Sequence, residues 1–167
     1  MKRILIIDDE KDIANNIKAI LEDESYEAIT AVNSKETFNE LAKYKFDLII
    51  LDVWLDNSEL DGLDILKKIR LSNNIPIIII SGHGNIDMAV QAIKDGANEF
   101  IEKPFTSERL LLSVNRAIEF HEIKIENDAL KQKNIFNYNF IGNSAPISRI
   151  KSQIKKVGPT SSRVIIY

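Results

Sequence analysis

Asp8, Asp9 and Glu10 follow one apolar run of the chain, Asp52 closes another, Ser81 ends a third, and Lys103 follows a fourth. If folding gathers these run ends, three aspartates share one pocket and repel one another. A divalent cation among them relieves that repulsion. A site of oxygen donors alone, with positions left for water and phosphate, describes Mg²⁺. Aspartate is also a nucleophile toward phosphorus and gives an aspartyl phosphate. In-line transfer asks the protein for positioning and for cations against the equatorial oxygens, more than for covalent chemistry. Asp52 is the expected acceptor, with Mg²⁺ and the Lys103 ammonium as the charge. The Ser81 hydroxyl is expected to donate to a phosphoryl oxygen. Taken singly, each residue is a turn or a solvated loop residue. Their recurrence at matching run ends carries the reading. His83, flanked by Gly82 and Gly84, reads as an exposed loop histidine. The Trp54 side chain reads as cover for the loop, while its backbone carbonyl can reach the metal.

The runs themselves must be buried strands. Phe46 to Asp52 is an apolar stretch bounded by polar residues, as expected of a strand buried on both faces. Arg3–Ile7, Glu27–Val32, Ile75–Ile80 and Asn98–Glu102 read the same way. Between them lie helical stripes: Ile13, Ile17, Ile20 and Leu21; Phe38, Leu41 and Ala42, with Ser34 as N-cap; Leu63, Ile65, Leu66 and Ile69; Ile86, Ala89, Val90 and Ile93; and Leu110, Leu111, Val114, Ala117 and Ile118, capped by Thr106. Strand and helix alternate five times, which predicts a doubly wound α/β fold. Its five-stranded parallel sheet has right-handed crossovers and the flavodoxin-like order 2-1-3-4-5. In such sheets, ligands gather at the carboxyl ends of the strands, where the acids and the lysine stand.

The chain has 167 residues, 44% of them hydrophobic, enough for one full domain and an appendage. Its net charge of −3 is spread along the sequence, which argues against a nucleic-acid surface. There is no cysteine, so disulfides and thiolate metal sites are excluded. The run Ile4–Ile7 is too short for a signal peptide. No segment approaches the ~20 apolar residues that span a bilayer, so no membrane role and a cytoplasmic location are expected. Three regions are expected: 1–120 as a phosphoacceptor domain, 121–140 as a helical and polar linker, and 141–167 as the start of a second domain. Lys131 to Asn139 reads as linker. Ser144 is the expected cap of a helix bearing Ile147, Ile150, Ile154 and Val157, and Arg163–Tyr167 reads as a strand with no partner. Ser144–Tyr167 is expected to be poorly ordered or packed on another copy.

Ile7-Asp8-Asp9-Glu10, Leu51-Asp52, Ser81-Gly82 and Lys103-Pro104-Phe105 resemble the motifs of the receiver domain of bacterial two-component response regulators, over about residues 1–118. The resemblance implies that a sensor histidine kinase donates the phosphoryl group to Asp52. It implies Mg²⁺ held by Asp9, Asp52 and the Trp54 carbonyl, with Asp8 acting through water. It also implies that Ser81 and Lys103 bind the phosphoryl group and that the Lys103–Pro104 bond is cis. Phe100 stands where receivers carry a switch aromatic that works with Ser81. A homodimer is implied through the fourth helix, fifth strand and last helix, or through the linker helix. Phe140-Ile141-Gly142-Asn143-Ser144 onward is similar to the opening of the ATPase module of NtrC-type activators of sigma-54 promoters. The long loop Asp52 to Gly62, without the usual Pro, resembles the NtrX-type branch, linked to nitrogen metabolism and respiration. Contact with sigma-54 RNA polymerase and DNA, and ATPase activity, would then belong to domains absent here. The chain itself would be no enzyme beyond self-phosphorylation and slow self-dephosphorylation at Asp52.

Three rivals can be weighed on residues. A flavin or nicotinamide binder needs a glycine- or hydroxyl-rich loop after the first strand, where this chain has Asp-Asp-Glu. A phosphatase using the same intermediate pairs its nucleophile with a second acid in D-x-D, and Asp52-Val53-Trp54 lacks it. A phosphate-independent interaction module would not need all the site positions filled.

Overall fold

A computed structural model describes residues 1–56, 58–82, 86–137, 142 and 144–159. It divides into two units, residues 1–124 and 125–167. The first carries β1 (Arg3–Ile7), α1 (Lys11–Asp23), β2 (Glu27–Ala31), α2 (Ser34–Lys43), β3 (Leu48–Asp52), α3 (Gly62–Arg70), β4 (Ile77–Ser81), α4 (Ile86–Lys94) and β5 (Glu99–Glu102). Next comes α5 (Ser107–Asn137), and α6 (Ala145–Val157) lies in the second unit.

The five strands are all parallel, in the order β2-β1-β3-β4-β5. This is the expected doubly wound sheet, with β1, β3 and β4 inside. Period-two alternation sorts their side chains into two cores. Ile4, Ile6, Leu48, Ile50, Ile78, Ile80 and Ile101 pack with Ala14, Ile17 and Leu21 of α1 and Leu110, Val114 and Ile118 of α5. Leu5, Ile7, Ile49, Leu51, Ile77 and Ile79 pack with Ile65, Leu66 and Ile69 of α3 and Ala92 of α4. The strand side chains are almost entirely removed from water on both faces, which is why the sequence reads as apolar runs.

The structure corrects several local expectations. The cap of α2 is Asn33, whose side chain accepts from the Glu36 amide at 2.9 Å; Ser34 is buried in the first turn. The stripe Ile86, Val90 and Ile93 of α4 does not face the sheet. These residues are 83%, 45% and 47% exposed, and the helix buries the small Ala92 instead. Residues 131–137 continue α5 as helix, where the polar sequence reads as an irregular stretch. Lys and Gln are good helix formers, and no Gly or Pro interrupts that stretch. In the second unit, α6 follows Ser144 as expected, with Pro146 in its first turn, and buries none of its residues. His83 and the strand expected at Arg163–Tyr167 lie outside the described residues. Among the described residues, no helix is long and apolar enough to cross a membrane.

Candidate functional site: an acidic pocket at the strand tips

Parity along each strand sets the pocket. Asp8 lies two residues beyond Ile6, Asp52 two beyond Ile50, and Lys103 two beyond Ile101, all of one core. The three side chains meet. Lys103 Nζ donates to Asp52 Oδ2 at 2.6 Å and to Asp8 Oδ2 at 2.9 Å. Their side chains are 14%, 6% and 3% exposed. The peptide bond Lys103–Pro104 is cis, as the resemblance implied. The Lys103 amide donates to the Ser81 carbonyl at 2.8 Å, which ties the tip of β5 to that of β4.

Burial pushes the Asp8 carboxyl above its ordinary value. The Asp52 charge adds to this push, against the Lys103 ammonium and the Glu10 amide. Burial alone would lower the Lys103 ammonium. The hydrogen bonds and charges of Asp52 and Asp8 outweigh it and hold Lys103 above its ordinary value. The Asp8 shift has a consequence for stability. A carboxyl with a raised folded-state pKa binds its proton more tightly in the folded than in the unfolded chain. Stability then falls as pH rises from the unfolded value of 3.8 through the raised one. In a chelator, Asp8→Asn is therefore expected to unfold at a higher temperature than wild type at neutral pH, the gap closing toward pH 3.8. Thermal unfolding across pH checks this.

Carboxylate oxygens of Asp8, Glu10 and Asp52 lie within 4.8 Å of one another, a hard-oxygen donor set that fits Mg²⁺. Asp9 is not in that group. Its Oδ2 accepts from the Asp56 amide at 3.0 Å. Glu10 takes the third place, 4.0 Å from Lys103 Nζ, and its amide donates to Asp8 Oδ1 at 2.9 Å. Sequence reasoning discounted Glu10. The only available signal was its place in the acidic triplet, where neighbouring acids at a strand tip cannot be ranked without the loop's backbone.

The loop after β3 folds back over this end. The Trp54 amide donates to Asp52 Oδ1 at 3.3 Å, and the indole residue is 52% exposed. Val53 and Leu55 are buried, and the Ser34 amide donates to Ser58 Oγ at 3.0 Å. Asp61 caps α3 by accepting from the Asp64 amide. Ser81 is fully buried, with Oγ 4.0 Å from Met88 Sδ. Phe100 is half-buried against the α3–α4 core.

Residues 4–115 match the response regulator receiver domain, and the chain belongs to that family. Among receivers it falls with the NtrX and NtrC type of two-component response regulators. The nitrogen assimilation regulatory protein NtrX of Azorhizobium caulinodans is 44% identical over 98% of this chain and 36% of that protein. A crystal structure of NtrX from Brucella abortus is 38% identical, with a TM-score of 0.77 over 96% of this chain and 36% of that one. The solution structure of the beryllofluoride-activated NtrC4 receiver domain dimer is 43% identical, with a TM-score of 0.66 over 71% of this chain and 98% of that one. The chain spans about a third of the length of the curated relatives it matches, 34% and 36% for two of them.

Proposed function

We propose that Asp52 accepts a phosphoryl group from a sensor histidine kinase and that this chain is the receiving part of an NtrX-type regulator. The observation that carries the reading is the Lys103 ammonium bonded to two buried carboxylates, Asp52 at 2.6 Å and Asp8 at 2.9 Å. In the transfer, an Asp52 carboxylate oxygen attacks phosphorus. An O–P bond forms, the N–P bond to the donor imidazole breaks, and its electron pair leaves with the nitrogen. Lys103 moves from the carboxylate to a phosphoryl oxygen and offsets its charge. Ser81 donates to a second phosphoryl oxygen. Asp8, Asp52, the Trp54 carbonyl and either Asp9 or Glu10 would hold Mg²⁺. When bound, Mg²⁺ supplies positive charge against the phosphoryl oxygens.

The output we assign is a population shift in which Ser81 and Phe100 alter the α4–β5–α5 face. Ile86, Val90 and Ile93 give that face exposed apolar surface, and a homodimer through it or through the α5 extension fits the reading. The activated dimer of the similar NtrC4 receiver supports it. Nitrogen regulation is supported by the name of the Azorhizobium relative. We assign sigma-54 RNA polymerase, DNA and ATP hydrolysis to the regions of the relatives that this chain does not span. A phosphorelay of this kind would work in the cytoplasm.

The test uses acetyl phosphate and Mg²⁺, with intact mass as the readout. Wild type is expected to gain one phosphoryl group and Asp52→Asn none. Hydrolysis of the donor without an adduct would favour a phosphatase. No adduct and no hydrolysis would favour a phosphate-independent interaction module.

A further inference from the structure

On the phosphoacceptor reading above, we propose that Ser58 is a positioning residue for the site. Its hydroxyl pegs the β3–α3 loop to the first turn of α2, and the peg sets how readily a small donor or a water reaches Asp52.

The peg meets a need at each end. Ser34 opens α2 and is 3% exposed, and the first amides of a helix find no acceptor within it. The Asn33 side chain serves the Glu36 amide. The Ser34 amide instead donates to Ser58 Oγ at 3.0 Å, across 24 residues of sequence. On the other side, both ends of the loop close on Val53. Its amide donates to the Ile80 carbonyl at 3.1 Å, and its carbonyl accepts from the Gly62 amide at 2.9 Å. Leu55 is buried. Beyond it, the described residues from Asp56 to Glu59 are held by two hydrogen bonds: the Asp56 amide on Asp9 Oδ2 at 3.0 Å, and Ser58 Oγ with the Ser34 amide.

Asp52 lies at the root of this loop and is 5% exposed, with Lys103 on Oδ2 and the Trp54 amide on Oδ1. In-line transfer needs an open line of approach. With the carboxylate so enclosed, the pegged loop is the closed state, and a lifted loop admits the donor or the water. A reaction that passes through a minor open state runs in proportion to its population. Loss of one hydrogen bond of ordinary net strength raises that population about fivefold. Arrival from a small donor and loss by hydrolysis then speed up together. A defect in the charge of the pocket slows phosphorylation instead.

Ser58→Ala and Ser34→Pro cut the peg from its two sides. Proline removes the Ser34 amide yet suits the first position of a helix, and Asn33 before it is already extended, at φ −159° and ψ 173°. Ser58→Thr keeps the hydroxyl. Intact mass on the full chain follows adduct formation from acetyl phosphate with Mg²⁺, and adduct decay once the donor is removed, below the unfolding transition of each variant. Both rates are expected to rise about fivefold in Ser58→Ala and in Ser34→Pro, and no further in the double variant. Ser58→Thr should stay near wild type. Solvent exchange followed by NMR should be faster by a similar factor at the Asp56 amide of the cut variants and unchanged at Gly62. Unchanged rates in both single variants, additive gains in the double variant, or faster formation without faster decay would each overturn the gate while leaving Asp52 as acceptor. A wild type that gains no adduct would overturn the phosphoacceptor reading, and the gate with it.

Discussion

Lys103→Met is expected to lower the stability of the metal-free chain by about 3 kcal/mol and to have much of that loss restored by Mg²⁺. Lys103 is the cation bonded to both Asp8 and Asp52, whose side chains are 3% and 6% exposed. Met keeps most of the stem volume and removes the charge, so the change isolates electrostatics from packing. Two buried carboxylates are then left against each other. Asp8, already displaced upward by burial, would take up a proton, and this limits the cost. A divalent cation is the other way to compensate. Chemical denaturation in chelator and in Mg²⁺ measures both halves. Equal losses in the two conditions would mean that the pocket does not accept a cation. Adduct formation from acetyl phosphate should also slow by about a hundredfold, the scale of losing one charged stabiliser of developing negative oxygen.

Gly62→Ala is the second large effect, also about 3 kcal/mol. A Cβ at Gly62 would stand 2.0 Å from the Asp52 carbonyl oxygen and 2.8 Å from Val53 Cα. Both are backbone atoms, so no rotamer change relieves the clash. Either α3 lifts from the sheet, or the end of β3 moves with its carboxylate. The expected result is a lower midpoint of denaturation and, in the folded fraction, slower phosphorylation at Asp52. Gly82→Ala is the control, since among the described residues nothing beyond its chain neighbours lies within 4 Å of a Cβ there. Its effect should stay within about 0.5 kcal/mol. Similar losses for the two variants would show that close approach at Gly62 is not what matters.

These two residues also mark what a sequence reader can see. Lys103 was legible because charge at the end of an apolar run is conspicuous, and the sheet order brings such ends together. The order itself followed from the apolar character of β1, β3 and β4. Gly62 was invisible, because what demands glycine is a carbonyl from a strand ten residues earlier. In α4, hydropathy favoured the bulky Ile86, Val90 and Ile93 as the inner stripe. The helix instead turns Ala92 to the sheet and leaves the larger side chains outside. Beyond Phe120 the periodicity fades because Phe120, Ile123 and Leu130 are largely exposed and serve no core, yet the helix continues. The sequence reading took Asp9 into the pocket and set Glu10 aside, because what separates them is an amide of the distant loop, which no side-chain pattern records.

Trp54 is the single tryptophan of the chain, half-exposed, and its own amide donates to the Asp52 carboxylate. Its emission can come from nowhere else in the molecule. On the proposed function, fluorescence quenching or enhancement would therefore follow ion uptake, phosphoryl arrival and its hydrolysis in real time, with no dye or radioisotope attached.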